Sequence, residues 1–290
     1  MTLKKLGVKV DFQGSMKGDV SMTMPLNLVL VRHGESEGNV AQALVKKGDS
    51  SLMAKLDAVH TQEWRLSPRG CNQAAAAGEW LRREFPAGFT RYLTSWYARA
   101  IETAGLLEMP GAEWLLHPML SERDWGRLSS ATAEQRATGE MAENLARRER
   151  DGVWWRPGGG ESLADVLDRL HAFFDSLHRE QSNGSVIIVC HGEVMWAVRV
   201  LIERMTPQRF RDLDRSRRNL DRIHNGHILH YTRINPEGAT DVRTRLDWMR
   251  SICPWDPARS TNDWQTIQRP VFTGPELLAM VEQHRRFLEE

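Results

Sequence analysis

Apolar positions along the chain follow two rhythms, and the switches between them set the predicted elements. Leu26 and the run from Leu28 to Val31 are apolar and partly β-branched, with Asn27 between them and Pro25 before them. That pattern predicts a strand buried on both faces of a parallel sheet. Ser185–Cys190 repeats it, and both runs end the same way: Val31 leads into Arg32, His33 and Gly34, and Cys190 into His191 and Gly192. Shorter strands are expected at residues 91–95 and 112–117, and an Asn-Gly turn at 225–226 introduces a strand expected at a sheet edge. Ser67 as N-cap and Pro68 at the first helical position open an alanine-rich helix to about Phe85. A second helix is expected from about Tyr97 to Leu107. Ser162 and Asp165 form a capping-box-like pair ahead of Leu163, Val166, Leu167, Leu170, Phe173, Phe174 and Leu177, the best helical pattern in the chain. Residues 40–66 have no clear period. Residues 118–160 are charged and irregular, and read as a lid with a helix around 132–150. Strands alternating with helices predict a three-layer α/β/α sandwich around a mostly parallel central sheet.

Length and charge narrow the picture. The chain of 290 residues reads as one catalytic body, 26–235, with an N-terminal arm over 1–25 and a C-terminal extension over 236–290 packed on the body or a partner. With 39 basic and 38 acidic residues, no global field recruits nucleic acid or anionic membrane, so any anion specificity has to be local. Three widely spaced cysteines argue against a disulfide framework or zinc knuckle and suit a reducing cytoplasm. Neither a signal-type apolar core nor a run of membrane-spanning length is present. Of eleven tryptophans, Trp154, Trp155, Trp248, Trp255 and Trp264 fall in expected loops, where they read as pins holding those loops to the body.

Candidate chemistry gathers at the strand ends. Ligands of open α/β sheets bind outside the carboxyl ends of strands, which is where both histidines fall. Arg99, four residues beyond Ser95, would sit in the first turn of its helix and could reach the same sheet edge as Arg32. Guanidinium groups fit phosphate oxygens bidentately, so two of them with a histidine could hold a phosphoryl group. Arginine beside His33 would repel a cation, and no ligand spacing supports a metal. An anion is the better guest, and His33 becomes a nucleophile candidate.

These motifs resemble those of the histidine phosphatase superfamily, in its phosphoglycerate-mutase-like branch. "VRHGESEGN" is similar to its signature, "SWYARAIETA" to its S-x-x-x-R-A-x-x-T-A segment, "LSERDWG" to its acid-donor loop, and "GGGES" and "VCHGEV" to its later motifs. The resemblance implies that His33 attacks phosphorus, that Arg32, Arg99 and His191 spread charge over the phosphoryl oxygens, and that Glu122 protonates the leaving oxygen and later activates water. Acting as an acid near neutral pH, Glu122 would need a raised pKa and partial burial under the lid. Local rivals have blander roles: Glu102 would pair with Arg99, and Glu161 would cap a helix or orient a pocket arginine.

Asn39, Ser95 and Gly192 are second-tier substrate-binding candidates. Arg65 and Arg156, with His60 and Trp154, could line the pocket mouth for a bulky ester. The Gln-Gly-Leu-Asn-Lys stretch and paired arginines by which cofactor-dependent mutases hold the far end of their substrate are missing after the acid loop, where this chain reads "RDWGRLSSATAEQ". That favours a metal-independent phosphatase, without a cofactor, acting on a phosphorylated small molecule. A mutase-type phosphotransferase and a non-catalytic phosphate-ligand binder stand as alternatives. Residues 209–222, six arginines against three aspartates, read as a solvated, ion-paired helical face or as a cleft wall. The amphipathic segment from Gly274 offers either a dimer contact or docking on the same chain.

Overall fold

A computed structural model describes residues 23–238 and 240–288. Strand β1 (Asn27–Arg32) is the hub, with Leu28 to Val31 wholly buried. It pairs in parallel with β4 (Ser185–Cys190), and the register sets Arg32 opposite Cys190. The two His-Gly ends are therefore side by side, and the His33 amide donates to the Cys190 carbonyl at 3.0 Å. Strand β2 (Arg91–Thr94) pairs in parallel with β4 and with β3 (Trp114–Leu116), so Ser95 also arrives at this edge.

The sheet has seven strands in the order β3-β2-β4-β1-β5-β6-β7. Its β5 (Ile228–Thr232) corrects the expectation of an edge strand. It is internal, antiparallel to β1, and followed outward by β6 (Trp248–Ile252) and β7 (Gln265–Thr266), both antiparallel. The sheet is thus mixed, and the C-terminal segment is part of it. Trp248 opens β6; Trp155 is buried, whereas Trp154 stands 70 % exposed and pins nothing.

Residues 40–66 hold two helices that periodicity did not reveal, α1 (Glu37–Val45) and α2 (Ser51–Leu56). Ser36 caps α1 and forms a capping box with Asn39, which the Glu37 amide reinforces by donating to the Arg65 carbonyl. The alanine-rich helix is α3 (Pro68–Glu84), capped by Ser67 as expected. It presses close to the turn after His33, so that a Cβ on Gly34 would run into the Gly70 carbonyl. Helix α4 (Ala98–Leu106) follows β2. The lid consists of three short helices, α5 (Ala133–Ala137), α6 (Gly139–Ala146) and α7 (Arg148–Asp151), rather than one, with Gly139 at φ +56° breaking the first pair. Helix α8 (Leu163–Glu180) carries the expected capping box and buries Leu163, Val166, Leu170, Phe173, Phe174 and Leu177 against β4 and α9 (Gly192–Glu203).

Helix α10 (Pro207–Arg215) presents the arginine-rich face, where Arg215 pairs with Glu149 at 2.6 Å and Arg218 lies near Asp221; none of the six arginines lines the cleft described below. Helix α11 (Gly274–Glu282) forms, but Leu277, Leu278 and Val281 are each more than half exposed, so this face is not docked on the described residues. The arm expected over 1–25 lies, up to residue 22, outside the described residues. Among the described residues, no helix is long and apolar enough to cross a membrane.

Candidate active site

The site opens at the carboxyl ends of β1, β4 and β2, under the lid, as a cleft of about 490 Å³. His33 is buried, and its Nδ1 lies 2.6 Å from the Gly34 carbonyl oxygen. A carbonyl only accepts, so Nδ1 carries the hydrogen and Nε2 presents its lone pair. The Arg99 Nε–H donates to that Nε2 at 3.2 Å, Arg99 Nη1 donates to the Thr61 carbonyl at 2.8 Å, and the guanidinium covers the Tyr97 ring at 4.7 Å. Burial, then the charges of Arg99 and Arg32, hold the His33 pKa well below its ordinary value. The imidazole is therefore neutral and unprotonated at Nε2 near pH 7.

His191 sits against His33 with ring centroids 5.1 Å apart. Its Nε2 is 2.8 Å from the Ser95 hydroxyl, and burial followed by Arg99 and His33 pushes its pKa well down. Ser95 is fully buried and does not line the cleft; it positions His191. Arg32 donates from Nη1 to the Ile223 carbonyl at 2.6 Å. Among the described residues, the buried side-chain nitrogens with no partner are Arg32 Nε and His191 Nδ1. Buried polar groups are nearly always satisfied, so a pair of them beside a histidine lone pair marks a place for ligand oxygens.

Glu122 is half-buried on the cleft wall, with its Oε1 accepting from the Arg123 amide at 2.9 Å. Burial and then Glu193 raise its pKa, against the pull of Arg99 and Arg32. The acid loop is stapled from behind. Arg169 donates to Glu161 at 3.0 Å and to the Ser121 carbonyl at 2.8 Å, while Glu161 accepts from the Asp124 amide at 3.0 Å. Glu161 therefore orients the loop, and its carbonyl accepts from Arg123 Nε at 2.9 Å.

Of the remaining expected residues, Asn39 and Gly192 line the cleft. Two do not. Arg65 is held by Glu102 at 2.6 Å, which also corrects the expected Glu102–Arg99 pair, and Arg156 is held by Asp165 at 2.6 Å. Both stand on the surface, as His60 does, and Trp154 likewise stays outside. Their nearer acidic partners outcompete the cleft.

Residues that had no role from the sequence complete the site. Arg123, buried, pairs with Glu193 at 3.1 Å and packs over Trp125 at 4.6 Å. Asn225 donates to the His33 carbonyl at 3.2 Å and to Asn39 Oδ1 at 3.0 Å, and its own carbonyl accepts from Trp255 Nε1 at 2.7 Å. The C-terminal segment thereby braces the turn that carries His33. Arg123 and Glu193 lie within "LSERDWG" and "VCHGEV"; Asn225 read only as a turn.

His33, Glu122 and His191 offer ligand atoms within 4.8 Å of one another, close enough to share a metal ion. Arg32 and Arg99 lie in the same cleft and their charges press on both histidines, so an anion fits this ground better than a cation.

The fold and site together define a class, and the chain belongs to the histidine phosphatase superfamily (branch 1), whose profile matches residues 28–227. Among its relatives is a 2,3-bisphosphoglycerate-dependent phosphoglycerate mutase of Methylobacterium radiotolerans, 30 % identical over 229 residues, 76 % of this chain and 95 % of the relative. Solved structures of similar fold include the alpha-ribazole phosphatase of Shigella flexneri, at 22 % identity and TM-score 0.54 over 76 % of this chain and 96 % of that one. A mycobacterial glucosyl-3-phosphoglycerate phosphatase matches at 24 % identity and TM-score 0.54 over the same shares.

The buried histidines also tie stability to pH. His33, His191, His227 and His230 all have pKa values lowered by burial, that of His227 to about 3. Between the folded value and the unfolded value of about 6.5, the unfolded chain holds more protons, so stability is full above about 6.5 and is lost as pH falls. Thermal midpoints measured from pH 8 to pH 5 are expected to be level at first and then to fall below about 6.5. A midpoint that rises on acidification would contradict the neutral buried histidines.

Proposed function

We propose that this chain is a metal-independent phosphomonoesterase of the cytoplasm that works through a phosphohistidine on His33. The observation that carries the proposal is the pairing of an unprotonated, buried His33 Nε2 with the two partnerless buried nitrogens, Arg32 Nε and His191 Nδ1. His33 Nε2 attacks phosphorus, the P–O bond to the leaving group breaks, and Glu122 gives that oxygen its proton. Water, deprotonated by Glu122, then attacks phosphohistidine, the P–N bond breaks, and inorganic phosphate leaves. Arg32, Arg99 and His191 stabilise the phosphoryl oxygens as charge spreads over them, the main help a loose transition state can use. Asn39 and the Gly192 end of α9 border the phosphoryl position. Three free cysteines accord with a reducing compartment.

The mutase reading is favoured by curated relatives of that name at 29–30 % identity. Hydrolysis of p-nitrophenyl phosphate in EDTA, alongside conversion of 3- to 2-phosphoglycerate with a bisphosphate primer, separates the readings. Phosphatase turnover in EDTA without isomerisation is expected; isomerisation without net hydrolysis would overturn the proposal.

Glu193 should tune the acid. Its charge raises the Glu122 pKa, and Glu193→Gln removes that charge and frees Arg123. The acid form of Glu122 is then lost at lower pH, so the alkaline limb of the kcat/KM profile should move downward. An unmoved or rising limb would remove Glu122 from the acid role.

A further inference from the structure

Beyond the phosphoryl position the cleft continues outward between α1, the lid and α9. Its volume of about 490 Å³ lies within the ~300–1,000 Å³ of sites that enclose drug-sized ligands. The walls are aromatic: Trp64, Trp125 and Trp196 all line it.

Its charge is unlike that of the whole molecule. Six cationic side chains line the cleft against three acidic ones, on a chain whose net charge is +1. Arg32 and Arg99 serve the phosphoryl group, and Arg123 is neutralised by Glu193. Arg148 apart, Arg136 and Lys46 are left, on opposite elements, the lid helix α5 and the end of α1. Neither makes an ion pair among the described residues. Arg136 is half-buried and donates only to backbone, from Nε to the Ala131 carbonyl at 3.2 Å and from Nη2 to the Leu128 carbonyl at 2.9 Å. A guanidinium anchored by two carbonyls and facing no carboxylate keeps its full positive field, and here that field falls on the cleft. Of the acids, Asp124 turns Oδ1 to the Gly126 amide at 2.7 Å. Arg148 adds a third distal cation, with only Asp214 near it at 4.0 Å.

We infer that the substrate is a phosphomonoester with a flat, aromatic body and a second anionic group, which Arg136 and Lys46 hold at the outer end of the cleft. This rests on the phosphatase reading and adds the substrate class to it. A three-carbon phospho acid has a second anion but no body to fill the tryptophan-walled span.

Three probes separate the features: p-nitrophenyl phosphate has a ring and one anion, 3-phosphoglycerate two anions and no ring, and adenosine 3′,5′-bisphosphate both. The expected kcat/KM is at least tenfold higher for the bisphosphate than for either other probe. Arg136→Gln retains a donor for the loop carbonyls, and Lys46→Ala lies on the surface. Each should cut the ratio of kcat/KM for the bisphosphate to that for p-nitrophenyl phosphate about tenfold, through KM. Equal hydrolysis of all three probes, or an unchanged ratio in both variants, overturns the inference. Calorimetric binding of the bisphosphate to His33→Ala, with and without Arg136→Gln, reads the subsite apart from chemistry. Binding that weakens with Arg136→Gln while the wild type hydrolyses nothing would keep the subsite and reject the phosphatase.

Discussion

His33→Ala is expected to lose at least about 10⁴-fold in turnover of any phosphomonoester, since removing a nucleophile forfeits the covalent route and such losses can reach about 10⁶. The alanine leaves Arg32, Arg99 and His191 in place, the groups proposed to meet the phosphoryl oxygens. Binding of vanadate or phosphate should therefore survive in the variant. Folding is guarded by the surrounding contacts: the Gly34 amide still donates to Thr103 Oγ1 at 3.1 Å and the His33 carbonyl still accepts from Asn225. A variant that turns over within tenfold of wild type would mean that water attacks phosphorus directly.

Glu122→Gln has the second largest expected effect, and it depends on the leaving group. General acid catalysis contributes roughly 10²- to 10⁴-fold. An alkoxide needs that proton to depart, so phosphorylation by an alkyl phosphate should slow by about this factor. p-Nitrophenolate departs without one. With p-nitrophenyl phosphate the variant should give a fast burst of nitrophenol and then stall, because the proposed mechanism also gives Glu122 the deprotonation of water in the second step. A burst slowed equally for both esters would move the acid elsewhere, with Glu193 the first candidate.

The parts of this arrangement that local pattern could reveal were the strand ends. The buried runs before His33 and His191 are β-branched and continuous, so burial on two faces dictates both the strand and its exit to the same edge. Arg99 was legible because it sits four residues beyond Ser95 at a strand end, and Glu122 only through the resemblance of "LSERDWG" to the acid-donor loop of the family. What stayed hidden depends on partners far along the chain. Helices α1 and α2 are too short for a clear period, and a cap at Ser36 and a backbone bond to residue 65 hold the first of them. Strand β5 looked like an edge because the strands that cover it come from a polar segment whose pairing is tertiary. Arg65 and Arg156 looked free, yet Glu102 and Asp165 claim them. Arg136 and Lys46 belong to no motif, and only the closure of the lid over α1 puts them in one cleft.

On the proposed route the phosphoryl group passes through His33. Glu122→Gln mixed with p-nitrophenyl phosphate should accumulate the intermediate, which an alkaline quench preserves because phosphohistidine is labile to acid. Digestion and mass spectrometry are predicted to find close to one phosphoryl group per chain, on His33. Phosphate on His191 or another residue, or nitrophenol release in a full burst with no phosphoryl group on the protein, would contradict the account.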